Sequence, residues 1–298
     1  MRAIQGTLGI RRWRITAVGV VILILSGIGI SGQGLVGTDS ASATCSQVTI
    51  IGARGSGQPN DTTGPFKGFG PQVDEAITVI EGDLHAKNIS YGADSVNYPA
   101  ESVDVLSPSA IDFIDWNDYI TNHLDPFMNS IATGVSVSVS DAESAQHTCG
   151  SKIIMVGYSQ GAMVMHQAEL KLKTQDPAAY NLIIGTVLVA DGNRVPNTAA
   201  KEFGSSPAAG EGIESWIYHT ALGSIPFPDV PIPVSTANIC NNNDIVCDTS
   251  LSALENFSSS AQVHTQSYAN CSANNTCTYG TALINGADWV GKLAASNA

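Results

Sequence analysis

Apolar runs of strand length alternate with segments of helical spacing through the middle of this chain. The run Gln47–Ala53 (QVTIIGA) suits a buried strand, and a loop of small and turn-forming residues, Arg54 to Gly70, follows it. Helical spacing resumes over Gln72–Glu81, and Ile89–Tyr98 carries a candidate strand near its end, in SVNYPA. Residues 101–117 are acidic and turn-rich, as a surface excursion would be. A helix is expected over much of Trp116–Ala145, although VSVSVS at 135–140 also alternates like a strand. Lys152–Gly157 (KIIMVG) is a continuous apolar strand core, Tyr158-Ser159-Gln160-Gly161 an abrupt turn, and Ala162–Leu172 a helix. Another apolar run, Leu182–Ala190, ends at Asp191-Gly192. Apolar strands separated by helices predict an α/β fold whose parallel sheet is covered on both faces. Such a sheet takes its ligand outside the carboxyl ends of its strands.

Beyond Arg194 the alternation fades. Residues 195–239 hold Pro196, Pro207, Pro226, Pro228, Pro231 and Pro233, and PFPDVPIPV is excluded from an interior strand or helix. That PFPDVPIPV segment is expected to be a loop laid over the core or over a binding cleft. A cysteine-flanked loop at 240–247, a helix near 250–257 and a last helix over Thr281–Ala295 complete the pattern.

The N-terminus differs in kind. Arg2, Arg11, Arg12 and Arg14 precede an apolar run, Ile15–Ile30, and Ala41-Ser42-Ala43 offers a cleavage site. Residues 1–43 therefore read as a signal peptide or a retained N-terminal anchor, with 44–298 as one domain outside the cytoplasm, secreted or in the cell envelope. Removing those residues leaves 9 basic and 25 acidic side chains, a formal net charge of −16. That field disfavours nucleic acid and anionic membranes as partners. All six cysteines lie beyond the cleavage site, and their even number in an exported chain implies disulfides. Short loops suggest Cys240–Cys247 and Cys271–Cys277, which leaves Cys45–Cys149, although six cysteines allow fifteen pairings. No CxxC or HExxH favours a zinc site.

Candidate chemistry centres on Gly157-Tyr158-Ser159-Gln160-Gly161, a G-x-S-x-G segment between strand and helix. Such a turn lifts a serine to the crest of a sheet, where it serves as nucleophile. The plainer reading is a serine that caps the following helix. A nucleophilic serine needs a histidine base and a carboxylate to orient it, in the chain order Ser, acid, His. His264 comes after the candidate acids, whereas His219 precedes the most attractive one, and His166 belongs on the flank of the helix after Ser159. Asp244, inside the 240–247 loop, competes with Asp191 and Asp248 for the acid. The N–H of Gln160 and the N–H and hydroxyl of Ser56, in Ala53-Arg54-Gly55-Ser56-Gly57, are candidate oxyanion donors.

Taken in order, ARGSG at 53–57, GYSQG at 157–161 and the C-x3-D-x2-C segment at 240–247, followed by His264 and Tyr268, make the chain resemble the cutinase family. The likeness is to the exported cutinase-like serine esterases of actinobacteria in particular, and it runs from about Cys45 to the last helix. It implies an α/β-hydrolase sandwich with a central, mainly parallel sheet. It also implies Ser159 as nucleophile, Asp244 as acid, His264 as base, Ser56 and Gln160 as oxyanion-hole residues, and bridges Cys45–Cys149 and Cys240–Cys247. Gly57 and Gln58 stand where the family often has threonine and glutamate, and residues 195–239 are long. The expected activity is hydrolysis of carboxylic esters, cutinase- or lipase-like, through an acyl-enzyme. No cofactor and no obligate protein partner are expected; the partner is an acyl ester or lipid, and cell-envelope association fits the leader. An acyltransferase or phospholipase acting on envelope lipids, or a non-catalytic lipid-binding protein, are the competing readings.

Overall fold

Val48 to Ala53 alternate their side chains between two apolar layers, and this alternation organises the sheet. In the computed structural model, which describes residues 45–102, 125–220 and 235–298, strand β1 (Val48–Ala53) turns Val48 and Ile50 to one face. Ile51 and Ala53 go to the other. Helix α1 (Pro71–Ala86) follows, then β2 (Tyr91–Ser95), α2 (Asp125–Cys149) and β3 (Lys152–Tyr158). Next come α3 (Gln160–Gln175), a single turn α4 (Pro177–Tyr180), β4 (Ile183–Val189) and β5 (Lys201–Phe203). The chain continues with α5 (Ile213–Thr220), β6 (Thr236–Ile239), α6 (Leu251–Glu255) and α7 (Phe257–Gln266). A hairpin of β7 (Ala269–Cys271) and β8 (Cys277–Tyr279) precedes α8 (Thr281–Asn297).

Six strands form one sheet in the order β2-β1-β3-β4-β6-β5, and every pairing in it is parallel. One face packs on α1 and α8 through Ile154, Val156, Val187 and Val189 with Val73, Ile80, Leu84, Leu283 and Val290. The opposite face packs on α2 and α3 through Ile153, Met155 and Leu188 with Ile131, Val135, Val164 and Leu172. Each of these fully buried aliphatic side chains contributes roughly 1.5–3 kcal/mol relative to exposure. The result is the three-layer α/β-hydrolase architecture anticipated above. From β1 the chain leaves toward β2, and from β3 it leaves toward β4, in the opposite direction. The crevice at the carboxyl ends of β1 and β3 is therefore the switch point where such sheets bind ligands.

The helix expected over VSVSVS is α2, whose buried positions Ser130, Ile131, Gly134, Val135, Ser138, Val139 and Ala142 follow one helical stripe. Other local expectations need correction. SVNYPA is not a strand, because β2 ends at Ser95 and the carbonyls of Val96, Tyr98 and Pro99 turn to Arg54. The alternation was expected to fade over 195–239, yet β5, α5 and the fully buried β6 lie in it. The helix near 250–257 is two helices, and the second carries His264. Residues 103–124 and the PFPDVPIPV segment lie outside the described residues, as do residues 1–44, so the expected signal peptide or anchor is not among them.

Candidate active site

Ser159 sits at the end of β3 with φ 53° and ψ −120°, a backbone conformation that a non-glycine residue holds only when its surroundings impose it. Two glycines make the turn feasible. A Cβ on Gly157 would collide with the backbone of Gly161, and one on Gly161 would collide with the carbonyl oxygens of Ala53 and Arg54. The Ser159 N–H donates to the Val189 carbonyl at 2.8 Å, tying the elbow to β4. Ser159 makes no side-chain cap on α3, so the capping role considered for it is not the one it adopts. Its Oγ lies 2.9 Å from His264 Nε2 instead.

His264 Nδ1 is 3.0 Å and 3.1 Å from the two carboxylate oxygens of Asp244. Asp244 is fully buried, and its charge is satisfied by several donors rather than by water. The Val246 N–H donates to Oδ1 at 2.8 Å, and the Tyr268 hydroxyl donates to Oδ2 at 2.7 Å. His264 is itself clasped by Tyr158, whose ring stacks on the imidazole at 5.3 Å and whose hydroxyl donates to the His264 carbonyl at 2.9 Å. Burial pushes both the Tyr158 and the Tyr268 phenol upward, with the Asp244 charge adding to it, so both remain proton donors at neutral pH.

The loop bearing Asp244 is closed by the Cys240–Cys247 disulfide. Arg194, completely buried, supports it from below: its guanidinium donates to the Cys247 carbonyl at 3.1 Å, the Pro207 carbonyl at 2.8 Å and Glu202 Oε2 at 3.0 Å. Asp248 does not approach the histidine; its Oδ2 accepts the Asn243 N–H at 2.8 Å. Asp191 is also removed from the site, paired with His166 Nδ1 at 2.6 Å. His166 is thus a packed helix histidine, one of the roles foreseen for it. The side chain of His219 lies outside the described residues.

On the other side of the crevice Ser56 follows β1, and its buried hydroxyl has no hydrogen-bond partner among the described residues. The loop that carries it is braced by Arg54, whose Nε donates to the Gln58 carbonyl at 2.8 Å while its other nitrogens reach Val96, Tyr98 and Pro99 carbonyls. The Tyr98 hydroxyl returns a bond to the Arg54 carbonyl. Gln58 completes the brace, accepting the Gly55 N–H at 2.8 Å and donating to Gln72 at 2.8 Å. Gln160 begins α3, where its N–H is one of the orphan donors of a helix start. The helix terminus adds a favourable field for an anion.

The bracing residues Arg54, Arg194, Tyr158 and Gln58 had no role in the sequence reading. A buried arginine must find several acceptors, but Arg194 is set off from the apolar run 182–190 by Asp191-Gly192-Asn193, and its burial is not marked there. Among the described residues no group of three or more His, Cys, Asp or Glu side chains is arranged to hold a metal ion. The remaining bridges are Cys45–Cys149, across the start of β1 and the end of α2, and Cys271–Cys277, across the hairpin.

Comparison with known proteins yields a family model, Cutinase, matching residues 44–279. Among solved structures, a cutinase-like protein from Cryptococcus sp. shares 18% identity with a TM-score of 0.47, over 85% of this chain and 92% of its own. An acetylxylan esterase shares 22% identity with a TM-score of 0.45, over 75% and 95%. The catalytic core domain of an acetyl xylan esterase from Trichoderma reesei shares 16% with a TM-score of 0.45, over 81% and 98%. No curated protein gives a significant match to the chain.

Proposed function

The chain belongs to the cutinase family and is a carboxylic ester hydrolase, and on that premise we propose that it is an exported serine esterase working through an acyl-enzyme on Ser159. One observation carries this reading: a single hydrogen-bonded line runs from Ser159 Oγ through His264 to the buried Asp244 carboxylate. In the first half-reaction Ser159 Oγ attacks the ester carbonyl carbon while His264 Nε2 takes its proton. The carbonyl electron pair moves onto oxygen, and that oxyanion is held by the Gln160 N–H and the Ser56 donors. The unpartnered Ser56 hydroxyl fits such a task, since a buried hydroxyl left without an acceptor costs about 1–3 kcal/mol in the resting protein. Collapse of the intermediate breaks the bond to the alkoxide, which receives the proton from His264. Water, deprotonated by the same histidine, then attacks the acyl-enzyme and releases the acid.

The substrate class in this proposal is an ester with an aliphatic acyl chain. Export through residues 1–43 is part of the proposal and is supported by the three disulfides, which persist in an oxidising compartment. No helix among the described residues is long and apolar enough to cross a membrane.

The test is turnover of esters of graded acyl length, with phospholipid and polyester included, in the presence and absence of a competing alcohol. Free acid as the acyl product supports the hydrolase. Transfer of the acyl group to the added alcohol as the main outcome would instead make the protein an acyltransferase. No turnover of any ester, with Ser159 inert, would leave only lipid binding.

A further inference from the structure

The Tyr268 hydroxyl lies at a junction that the acyl-enzyme chemistry does not itself require. It donates to Asp244 Oδ2 at 2.7 Å and accepts the Asn241 N–H at 3.0 Å. Both Asn241 and Asp244 belong to the disulfide-closed loop, whereas Tyr268 follows His264 at the exit of α7. The phenol is completely buried, and its ring meets Tyr158 edge-on at 6.1 Å. A relay therefore runs from a loop N–H through the phenol to the carboxylate, and the same short stretch of chain carries both the base and the donor.

We infer that Tyr268 is a positioning residue of the triad: its hydroxyl fixes the Asp244 carboxylate opposite His264 and sets how much of that carboxylate's charge the imidazole feels. This rests on the acyl-enzyme reading above. Asp244 receives three donors, the Val246 N–H, the Tyr268 hydroxyl and His264 Nδ1. A carboxylate shared among more donors offers less charge to each. The titratable and charged groups around this network are Tyr158 on β3, His264 on α7, and Asp248 and Arg194, which bind backbone of the acid loop. Among the described residues, Asp248 and Arg194 bind the loop backbone and the Tyr158 hydroxyl donates to the His264 carbonyl, so beside the imidazole itself the Tyr268 phenol is the one side-chain donor to Oδ2 and the adjustable neutral one.

The sign of the effect follows. Removing the hydroxyl returns charge to Asp244, which favours the imidazolium and moves the acidic limb of kcat/KM to higher pH. Strengthening the donor moves that limb to lower pH. A role confined to packing predicts neither shift, and in particular not two shifts of opposite sign.

The experiment compares wild type, Tyr268→Phe and a protein carrying 3-fluorotyrosine only at position 268, with a soluble short-chain ester as probe. Fluorination acidifies the phenol and keeps its shape, so folding is preserved even where the phenylalanine variant is impaired. The expected result for Tyr268→Phe is a kcat lowered about tenfold to 150-fold, the worth of one hydrogen bond to a charged group, with KM little changed. Its acidic limb rises by about half a pH unit, and the fluorinated protein's falls. Unchanged acidic limbs in both proteins, or limbs displaced in the same direction, overturn the role of Tyr268. If instead Ser159→Ala retains wild-type turnover in the same assay, the triad reading itself fails, so the two failures are distinct.

Discussion

Gly161 packs directly on the carbonyl oxygen of Ala53, leaving no room for a methyl group between the nucleophile turn and the strand that leads to Ser56. The two halves of the crevice are thereby held at one spacing: β3 cannot move relative to β1 without opening or crushing this contact. Gly161→Ala is expected to lower stability by about 1–3 kcal/mol, the usual cost of overpacking. Because the obstacle is backbone, turnover should fall by at least about tenfold, since the Gln160 donor shifts with the turn. Thermal melting and kcat/KM on one ester check both effects.

His264→Ala and Asp244→Ala should each remove most turnover while leaving the fold intact. Loss of about 10⁴-fold in kcat for the acid and about 10⁶-fold for the base is the scale for triads of this kind. The two losses should not add in the double variant, because the residues act as one unit. Near-wild-type rates in either single variant would reassign the triad.

The fold was legible wherever apolar periodicity carried it. Lys152–Tyr158 and Ile183–Val189 are buried on both faces and read as unbroken apolar runs, which is why the parallel sheet was visible. Strand β6 was missed because Thr-Ala-Asn-Ile has two polar residues, and both Thr236 and Asn238 are nonetheless buried; Asn238 Nδ2 donates to Glu202 Oε1 at 3.1 Å. The β7–β8 hairpin was missed because its strands are three residues long and rely on Cys271–Cys277 rather than on apolar burial. The candidate nucleophile and base could be named from residue type and order, whereas the acid stayed open among Asp244, Asp191 and Asp248 until the family resemblance singled out Asp244. Their supports, Arg194 and Tyr268 above all, act across 53 and 24 positions of chain to Cys247 and Asp244, and no local pattern announces such contacts.

Arg194→Met should be among the most damaging substitutions away from the crevice. It withdraws the buried cation from Glu202 and removes donors from the Cys247 and Pro207 carbonyls. Breaking a buried pair by removing one partner costs about 3–5 kcal/mol. Arg194→Lys should recover little, since a single ammonium cannot reproduce the planar fork. Denaturant unfolding of the two variants against wild type gives the comparison.

The buried cluster behind α3 makes stability depend on pH. Glu169, hydrogen-bonded by the Thr186 hydroxyl, is pushed up from 4.5 to about 7 by burial. Its folded value exceeds its unfolded one, so its proton stabilises the fold fully below pH 4.5 and that contribution is lost as pH rises through about 7. His166, also raised above 6.5, by the adjoining Asp191 carboxylate against the opposing effect of burial, acts in the same direction at higher pH. Glu169→Gln should flatten the decline, recovering up to about 3 kcal/mol above neutrality. Unfolding free energies measured from pH 5 to about pH 8 would show the two curves diverging upward.

Disulfide removal should be graded by the loop closed. Cys45–Cys149 spans 104 residues, whereas Cys271–Cys277 spans 6. Replacing the first pair by serine should cost about 4–5 kcal/mol, and the second roughly half that, on the loop-entropy account. An unchanged melting temperature after full reduction would remove the bridges from the stability argument.

The central claim is that Ser159 becomes acylated, and a serine-directed phosphonate tests it most directly. Intact mass after incubation should show one phosphonyl group per wild-type chain, located by peptide mapping on Ser159 and absent from Ser159→Ala. His264→Ala should label far more slowly, because the hydroxyl then lacks its base. Persistent labelling of Ser159→Ala, or an unlabelled wild-type chain, would contradict the account.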